Sequence, residues 1–308
     1  MVTLSEAKKG ITSIPGFVEQ YGLTGGLSRF AGIAYHRATK DITGRSIFDE
    51  QWDVCVILDA CRADELAKQR HEFEWIEQVD QFPSLASCTW DWLPRTLDGT
   101  PEKVLKNTTY VSANPFSGEF CSRNQFYELD EVWRYAWDEH RGTVRPRPVT
   151  DRAIHHWRNT DTPRLLVHYV QPHVPFLSSG AQTLSRANFD HEEDSVFDAW
   201  DRVTRGQLPR ETATGMYRET LNEVLQDVDL LLSNLQAERV VITADHGEAF
   251  GEWGLYGHPE KIDLPCLTQV PWVVTSGENK RTHEPSDYER TSNEVSRSEQ
   301  LEALGYAE

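Results

Sequence analysis

Three continuous apolar runs in the sequence predict strands that are buried on both faces of a sheet. They cover residues 54–58, 165–170 and 240–244, and each run ends in polar residues. Apolar residues over 216–235 recur at helical spacing, which predicts an amphipathic helix before the third strand. Another helix is expected to begin near Asp64. Strands that alternate with helices predict an α/β fold, with a mostly parallel central sheet and helices on both faces.

A fourth apolar run, 270–274, predicts a later strand of the same sheet. It contains Pro271, and proline cannot donate a hydrogen bond to a neighbouring strand. We therefore expect this strand at the edge of the sheet.

Changes in composition along the chain predict three parts. Residues 1–50 mix short apolar pieces with glycines, and we expect them to form a helical N-terminal extension. Residues 51–275 hold the predicted strands and form the main domain. Residues 276–308 are polar, and a short terminal helix over 301–306 is expected to end this tail.

The overall composition limits the classes of protein that the chain can belong to. It has 308 residues, of which 38% are hydrophobic, so it is long enough to bury one large core or two modest ones. Lys and Arg together number 31 against 49 for Asp and Glu, a net charge of −18, so nucleic acid is not expected as a partner. No stretch approaches the roughly 18 to 20 apolar residues of a membrane-spanning helix. The sequence therefore predicts neither nucleic-acid binding nor a membrane span.

The cysteines favour a reducing compartment. Their number is odd, five, and none forms a CxxC pair, which argues against a disulfide framework and a structural zinc knuckle. The first residues also lack the continuous apolar core of a secretory signal. From these features we expect a cytoplasmic location.

Candidate chemistry lies where two of the predicted strands end. Asp59 follows the first strand, and Asp245 and His246 follow another. The carboxyl ends of parallel strands meet at one edge of a sheet, so these side chains can converge on one divalent cation. Two other interpretations stay open at this point. Asp59 can cap a helix, and the Asp245–His246 pair can belong to a polar turn closed by Gly247.

Two segments resemble the metal-binding motifs of the sulfatase-like branch of the alkaline phosphatase superfamily. Residues 58–64, LDACRAD, resemble the first motif, and residues 245–258, DHGEAFGEWGLYGH, resemble the second. The ending over 301–306 also looks like that of sulfatase-like chains. The resemblance covers about 50–275 plus this ending. It implies a three-layer α/β sandwich and a metal-dependent hydrolase or transferase acting on phosphate or sulfate esters.

The resemblance also implies a nucleophile at the N-terminus of a helix. Counting ten residues back from Gly99 reaches Thr89, which resembles the threonine nucleophile of the phosphodiesterase, phosphoethanolamine-transferase and lipoteichoic-acid-synthase branches. Cys88 lacks the following Pro and Arg that formylglycine maturation requires. The alternatives are that Thr89 only caps the helix, or that Ser87 or Cys88 is the nucleophile.

Three further residues are implied in catalysis or substrate binding. His173 lies in a Pro-His-x-Pro segment whose histidine contacts the anionic group of the substrate in the family. His258 ends the second motif, and it can bind the transferred group, protonate the leaving oxygen or ligate a second metal. Arg62 can bind an anion or form a salt bridge to Asp64 or Glu65. For the two histidines, the alternative is an ordinary loop or turn position.

The expected metal ligands are Asp59, Thr89, Asp245 and His246. Three oxygens and one nitrogen suit zinc or manganese best, whereas calcium and magnesium remain possible. We expect one metal ion rather than two, because no segment completes a second set of ligands.

The expected substrate is a small-molecule, glycan-linked or lipid-linked phosphate or sulfate ester. Residues 110–161 and 177–214, which show no regular period, are expected to form the mouth of its pocket. One alternative function is a sulfatase that uses a modified Cys88. The other is a catalytically silent scaffold with the sulfatase fold.

Overall fold

The structure is a computed structural model that describes residues 41–178, 198–289 and 295–306 of the chain. Its strands are β1 (Val54–Leu58), β2 (Asp80–Pro83), β3 (Thr108–Ser112), β4 (Glu128–Glu131), β5 (Trp137–Asp138), β6 (Thr143–Val144), β7 (Arg164–Tyr169), β8 (Ala237–Thr243), β9 (Ala249–Phe250), β10 (Tyr256–Gly257) and β11 (Gln269–Gly277). Its helices are α1 (Ala63–Lys68), α2 (Thr89–Asp98), α3 (Glu102–Lys106), α4 (Ser117–Phe120), α5 (Pro146–Asn159), α6 (Ala199–Thr204), α7 (Arg210–Leu232), α8 (Pro265–Thr268) and α9 (Arg297–Ala303).

Seven strands form the central sheet, in the order β2-β11-β8-β1-β7-β3-β4. The five strands from β8 to β4 are parallel to their neighbours, whereas β11 is antiparallel to both β8 and β2. Helices flank the sheet. The predicted α/β fold with a mostly parallel central sheet is therefore confirmed.

Strand β1 lies at the centre of the sheet between β7 and β8, and all five of its residues are buried. Val54 is paired with Leu165 on one side and with Val240 on the other. Burial of a side chain of this size stabilises the fold by about 1.5–3 kcal/mol. The three apolar runs thus form the core of the sheet, and their polar ends lie at one edge.

Helix α7 precedes β8, as the sequence predicts, but it begins at Arg210 rather than near Met216 and ends at Leu232. Its buried face includes Leu221 and Val228. The first two turns, RETATG, are polar apart from one alanine and end in a glycine, so they carry no helical pattern of apolar residues.

The predicted position of β11 at the edge of the sheet is wrong. The short strand β2 lies outside it, with Gln81 opposite Pro271. Pairing of β11 with β8 begins one residue later, at Trp272 opposite Thr243. Because Pro271 lies before the two-sided part of the strand, its missing N–H group does not interrupt the ladder with β8.

The expectation that residues 110–161 form the mouth of the pocket stays a prediction, but the segment also forms regular elements of the domain. This segment supplies most of β3, all of β4 and the 14-residue helix α5, which packs on α7. The Tyr110 side chain and the turn after β3, with Asn114 and Phe116, reach the candidate site described below. The second expected mouth segment, 177–214, is described only at Leu177, Ser178 and 198–214.

The three-part division of the chain stays a prediction, because residues 1–40 lie outside the described part. None of the helices in the described ranges combines the length and the apolar character that crossing a bilayer requires.

Candidate active site

The candidate site lies at the carboxyl ends of β1 and β8. Asp59 directly follows β1, and Asp245 and His246 come just after β8. The two strands are parallel neighbours, so their ends lie at the same edge of the sheet. Thr89 is the first residue of α2, and its hydroxyl faces the same point. Four residues that are far apart in the sequence thus form one cluster.

The side chains of this cluster are in direct contact and fully buried. The Thr89 hydroxyl donates a 2.6 Å hydrogen bond to Asp245 Oδ2, and it lies 3.3 Å from His246 Nε2. His246 Nε2 is 3.5 Å from Asp59 Oδ1 and 3.5 Å from Asp245 Oδ2. The structure therefore brings together all four residues that the sequence predicts as metal ligands. Their role as ligands stays a prediction.

Backbone groups hold the Asp245–His246 pair in position. Asp245 Oδ1 accepts hydrogen bonds from the amides of Ala60 (3.2 Å) and His246 (2.8 Å). His246 Nδ1 is 2.8 Å from the carbonyl oxygen of Gly247, and donation to that oxygen leaves the Nε2 lone pair free to face the cluster. A Cβ atom on Gly247 would lie only 2.0 Å from the carbonyl oxygen of Cys266, so the motif requires glycine at this position.

Asp59 carries a buried oxygen that lacks a partner. Its Oδ2 atom accepts a 2.8 Å hydrogen bond from Asn114 Nδ2, but Oδ1 has no hydrogen-bond partner among the described residues. Burial, and next the nearby Asp245 carboxylate, raise the pKa of Asp59 well above its usual range. A divalent cation between the two carboxylates would remove this repulsion and satisfy the free oxygen. The donor set therefore fits a metal ion.

His168 also faces this cluster, although its place in the sequence gave no sign of a role. It lies in β7, and ligand atoms of Asp59, His168 and Asp245 all lie within 4.8 Å of one another. Its Nδ1 atom is 3.0 Å from the Tyr110 hydroxyl, whereas Nε2 has no hydrogen-bond partner within the described ranges. Burial lowers the pKa of His168 to about 4, so the ring is neutral at neutral pH. The cluster thus has a fifth donor atom.

His173 and His258 form a second layer beside the cluster. Their Nε2 atoms are 3.2 Å apart, and the His258 ring centre lies 4.6 Å from that of His246. His258 Nδ1 is 3.0 Å from Glu248 Oε1, and burial raises the pKa of Glu248 to about 7. Two neutral imidazoles cannot share a hydrogen bond through lone pairs alone, so one Nε2 atom must carry a proton. This pair can donate to an anionic oxygen.

The Arg62 guanidinium is held by its own neighbours. It forms ion pairs with Asp64 (2.9 Å) and Glu252 (2.7 Å), and it donates to the carbonyl oxygen of Glu248 (2.8 Å). The predicted alternative of a salt bridge to Asp64 is therefore present, whereas Glu65 is paired elsewhere. Binding of a substrate anion by Arg62 stays a prediction.

Within the described residues, the other candidates for the nucleophile have no side-chain hydrogen bond to the cluster. Ser87 donates a 2.9 Å hydrogen bond to the carbonyl oxygen of Pro259. Cys88 is buried, and this burial raises the pKa of its thiol far above the usual range. Cys88 is also the N-cap residue of α2, so the interpretation of Thr89 as only a helix cap is wrong.

Solved structures were compared with this fold. The soluble domain of lipooligosaccharide phosphoethanolamine transferase A from Neisseria meningitidis is similar with a TM-score of 0.50 and 17% identity, over 82% of this chain and 86% of that one. The integral membrane form of the same transferase gives a TM-score of 0.51 and 17% identity, over 86% of this chain and 56% of that one. A protein of the alkaline phosphatase superfamily from Vibrio parahaemolyticus is similar with a TM-score of 0.41 and 11% identity, over 85% of this chain and 72% of that one.

The chain has an alkaline-phosphatase/sulfatase-like fold, as the two sequence motifs predict. It spans about half the length of the membrane-embedded transferase. A comparison of the sequence with protein-family models gives no match. No curated protein matches it either.

Proposed function

We propose that this chain is a metal-dependent enzyme that cleaves or transfers phosphate esters through a covalent ester on Thr89. One observation carries the proposal. The Thr89 hydroxyl, at the start of a helix, lies 2.6 Å from Asp245 and 3.3 Å from His246, beside a buried set of cation ligands. A threonine hydroxyl in such surroundings is set up to act as a nucleophile.

Asp59, Thr89, Asp245 and His246 would hold the cation, with His168 as a further donor within reach. Mixed oxygen and nitrogen ligands suit zinc or manganese. When bound, the metal lowers the pKa of the hydroxyl and stabilises negative charge that develops on phosphate oxygens.

The residues of the chain then divide the reaction between them. Asp245 accepts the Thr89 proton through the existing hydrogen bond, and Thr89 Oγ1 forms a bond to phosphorus as the bond to the leaving oxygen breaks. His258, whose Nε2 atom carries the proton of the His173–His258 pair, donates to a phosphate oxygen and protonates the leaving oxygen. Water, or an acceptor alcohol in a transferase, next gives a proton to His258 and forms a bond to phosphorus, and the bond from phosphorus to Thr89 Oγ1 breaks as Asp245 returns the proton to Thr89.

Phosphate is favoured over sulfate because Thr89, rather than Cys88, forms the hydrogen bond to Asp245. A sulfatase of this fold would need an oxidised Cys88 at the place where Thr89 lies. The names of the similar solved proteins add a lipid-linked phosphoethanolamine group as a candidate substrate, with transfer as the reaction.

Turnover of aryl phosphate monoesters, diesters and sulfates with added zinc or manganese tests the proposal. Thr89→Ala should lower turnover of the best phosphate ester by about a thousandfold or more and leave bound metal nearly unchanged. Thr89→Ser should retain part of the turnover. Intact-mass analysis should find the covalent ester on the wild type only. Full activity of Thr89→Ala would remove Thr89 from the mechanism.

Two controls separate the alternatives. Cys88→Ala should be as active as the wild type. In the wild type, the mass of Cys88 should be that of an ordinary thiol, and a formylglycine mass would favour the sulfatase. No turnover of any ester would favour the scaffold.

A further inference from the structure

Tyr306 lies against the second histidine layer, in the segment that follows α9. Its hydroxyl is 3.3 Å from His173 Nε2, and its ring is stacked on the His173 ring at 5.5 Å and 14°. The His258 ring centre is 5.8 Å away, and Phe116 packs edge-on against the tyrosine ring at 4.6 Å. The side of the site next to the two histidines is thus lined by a residue from a distant part of the chain.

The local sequence explains how the tyrosine reaches this position. Gly305 has φ +97°, a left-handed conformation that glycine adopts without strain. The amide of Tyr306 donates to the carbonyl oxygen of Leu301 (2.9 Å) and that of Gly305 to Glu302 (3.0 Å), which ends α9 in a tight reversal. Leu304 is buried in the core. The reversal directs the following residue back toward the site.

Contacts with the body of the domain hold α9 in place. Gln300 Nε2 donates to the carbonyl oxygen of Trp133 (3.1 Å), and Arg297 forms a 2.7 Å ion pair with Glu119. Glu119 lies in α4, directly after Phe116 and the turn that carries Asn114. Helix α9 is therefore anchored to the segment 114–120, whose Asn114 supports Asp59 and whose Phe116 borders the tyrosine ring.

The surroundings of the hydroxyl suit it to binding an anionic oxygen. His173 Nδ1 donates a hydrogen bond to the carbonyl oxygen of Val174. Its Nε2 atom therefore accepts a hydrogen bond from the Tyr306 hydroxyl. The same two histidines adjoin the cluster, because the His258 ring lies 4.6 Å from that of His246, whose Nε2 atom is 3.3 Å from the Thr89 hydroxyl. A phosphate bound between Thr89 and the two histidines would meet the hydroxyl as a neutral donor. The donor adds no charge to a site that already holds several titratable groups.

We propose that Tyr306 is a substrate-binding residue, whose hydroxyl turns from His173 to donate a hydrogen bond to an oxygen of the phosphate group bound beside Thr89. This proposal rests on the proposed function. It assigns to the short ending of the chain a direct contact with the substrate.

Tyr306→Phe tests the proposal, because it removes the hydroxyl and keeps the stacked ring. Calorimetric titration of the metal-loaded protein with orthophosphate, and with vanadate, should show affinities about 5- to 20-fold weaker than those of the wild type. KM for the best ester should rise with little change in bound metal or in melting temperature. Tyr127→Phe, which alters an exposed tyrosine, is the matched control and should change nothing.

Gly305→Ala provides a second test, since a side chain at φ +97° strains the reversal and displaces Tyr306 without changing its chemistry. It should also weaken phosphate binding. Equal phosphate affinities of Tyr306→Phe and the wild type would overturn the proposal, as would a wild type that binds neither orthophosphate nor vanadate. If Tyr306 does not bind the phosphate group, Thr89→Ala should still lower turnover, so the two proposals can fail separately.

Discussion

The hydroxyl of Thr89 and the Oδ2 atom of Asp245 are 2.6 Å apart, although 156 residues separate them in the sequence. This hydrogen bond joins the first residue of α2 to the end of β8. The candidate nucleophile thus already lies beside a carboxylate that can accept its proton. Reaction at this hydroxyl would need little rearrangement, which is how enzymes lower the cost of orienting reactive groups.

The first prediction concerns Asp245 as a metal ligand. Asp245→Asn keeps the size of the side chain but removes its charge, so the purified protein should lose stoichiometric zinc or manganese. Metal analysis after dialysis measures the content, and titration with zinc measures the affinity. Asp98→Asn, at the exposed end of α2, is the matched control and should bind metal like the wild type. Stoichiometric metal in Asp245→Asn would contradict the assignment.

The central sheet and the cluster of Asp59, Thr89, Asp245 and His246 could be predicted because their sequence signals are local. Strands β1, β7 and β8 are buried on both faces, so they appear as continuous apolar runs that no surface element imitates. Each ends where its polar residues begin, and that places Asp59 and Asp245 at one edge. The cluster of four residues follows because the carboxyl ends of parallel strands meet at one edge of the sheet, once Thr89 is placed at the start of α2.

The elements that the sequence did not predict have polar residues at buried positions, so they lack a continuous apolar run. Strand β3 reads TTYVS and is fully buried, with the Thr108 hydroxyl donating to the carbonyl oxygen of Val104 at 2.8 Å. Asn114 follows this unrecognised strand, so its contact with Asp59 could not be predicted. His168 was missed because a histidine inside an apolar strand has no spacing that marks a ligand. The expected cytoplasmic location, which rests on the cysteines and on the pattern of the first residues, stays a prediction.

The second prediction concerns the buried charge of Asp59. Burial, then the Asp245 carboxylate, raise its pKa above that of the unfolded chain, so the metal-free fold loses stability as the pH rises from about 4 to neutrality. Asp59→Asn removes this charge. At pH 7 the free energy of unfolding of the metal-free variant should be about 1–2 kcal/mol higher than that of the metal-free wild type, so the variant should be more stable.

Denaturant unfolding in the presence of a chelator measures this difference, and zinc should stabilise the wild type far more than the variant. Below about pH 4, where Asp59 is protonated in both states, the advantage of the variant should disappear. A metal-free Asp59→Asn protein that is less stable than the wild type at pH 7 would show that the charge does not destabilise the fold.

The third prediction concerns Asn114, which orients Asp59 through its 2.8 Å hydrogen bond and also accepts one from the amide of Phe116 at 2.9 Å. Residues that orient metal ligands typically contribute 10- to 100-fold to affinity. Asn114→Ala should therefore weaken zinc binding by about 10- to 100-fold, as measured by competition with a chelator of known affinity. Asn159→Ala, at the exposed end of α5, is the control. If both variants bind zinc equally well, Asn114 does not position Asp59 for a metal.

The last prediction concerns a buried ion pair away from the site. Asp130, at β4, lies 2.7 Å from Arg152 Nε, 2.7 Å from His156 Nε2 and 2.6 Å from the Tyr135 hydroxyl. Burial opposes ionisation of Asp130, but the hydrogen bonds from His156 and Tyr135 and the charge of Arg152 outweigh it and hold the pKa well below its usual range. The carboxylate therefore stabilises the fold at neutral pH.

Asp130→Asn should reduce the free energy of unfolding at pH 7 by about 3–5 kcal/mol, because it leaves Arg152 buried without its counter-charge. The depressed pKa fixes the direction of the pH dependence. The contribution of Asp130 is complete above its unfolded pKa of about 3.9 and is lost as the pH falls toward the lower folded value, so the gap between variant and wild type should narrow below about pH 4. Denaturant titrations of both proteins from pH 7 to pH 3 measure this gap. A gap that stays constant over that range would mean that packing, rather than the charge of Asp130, stabilises this part of the fold.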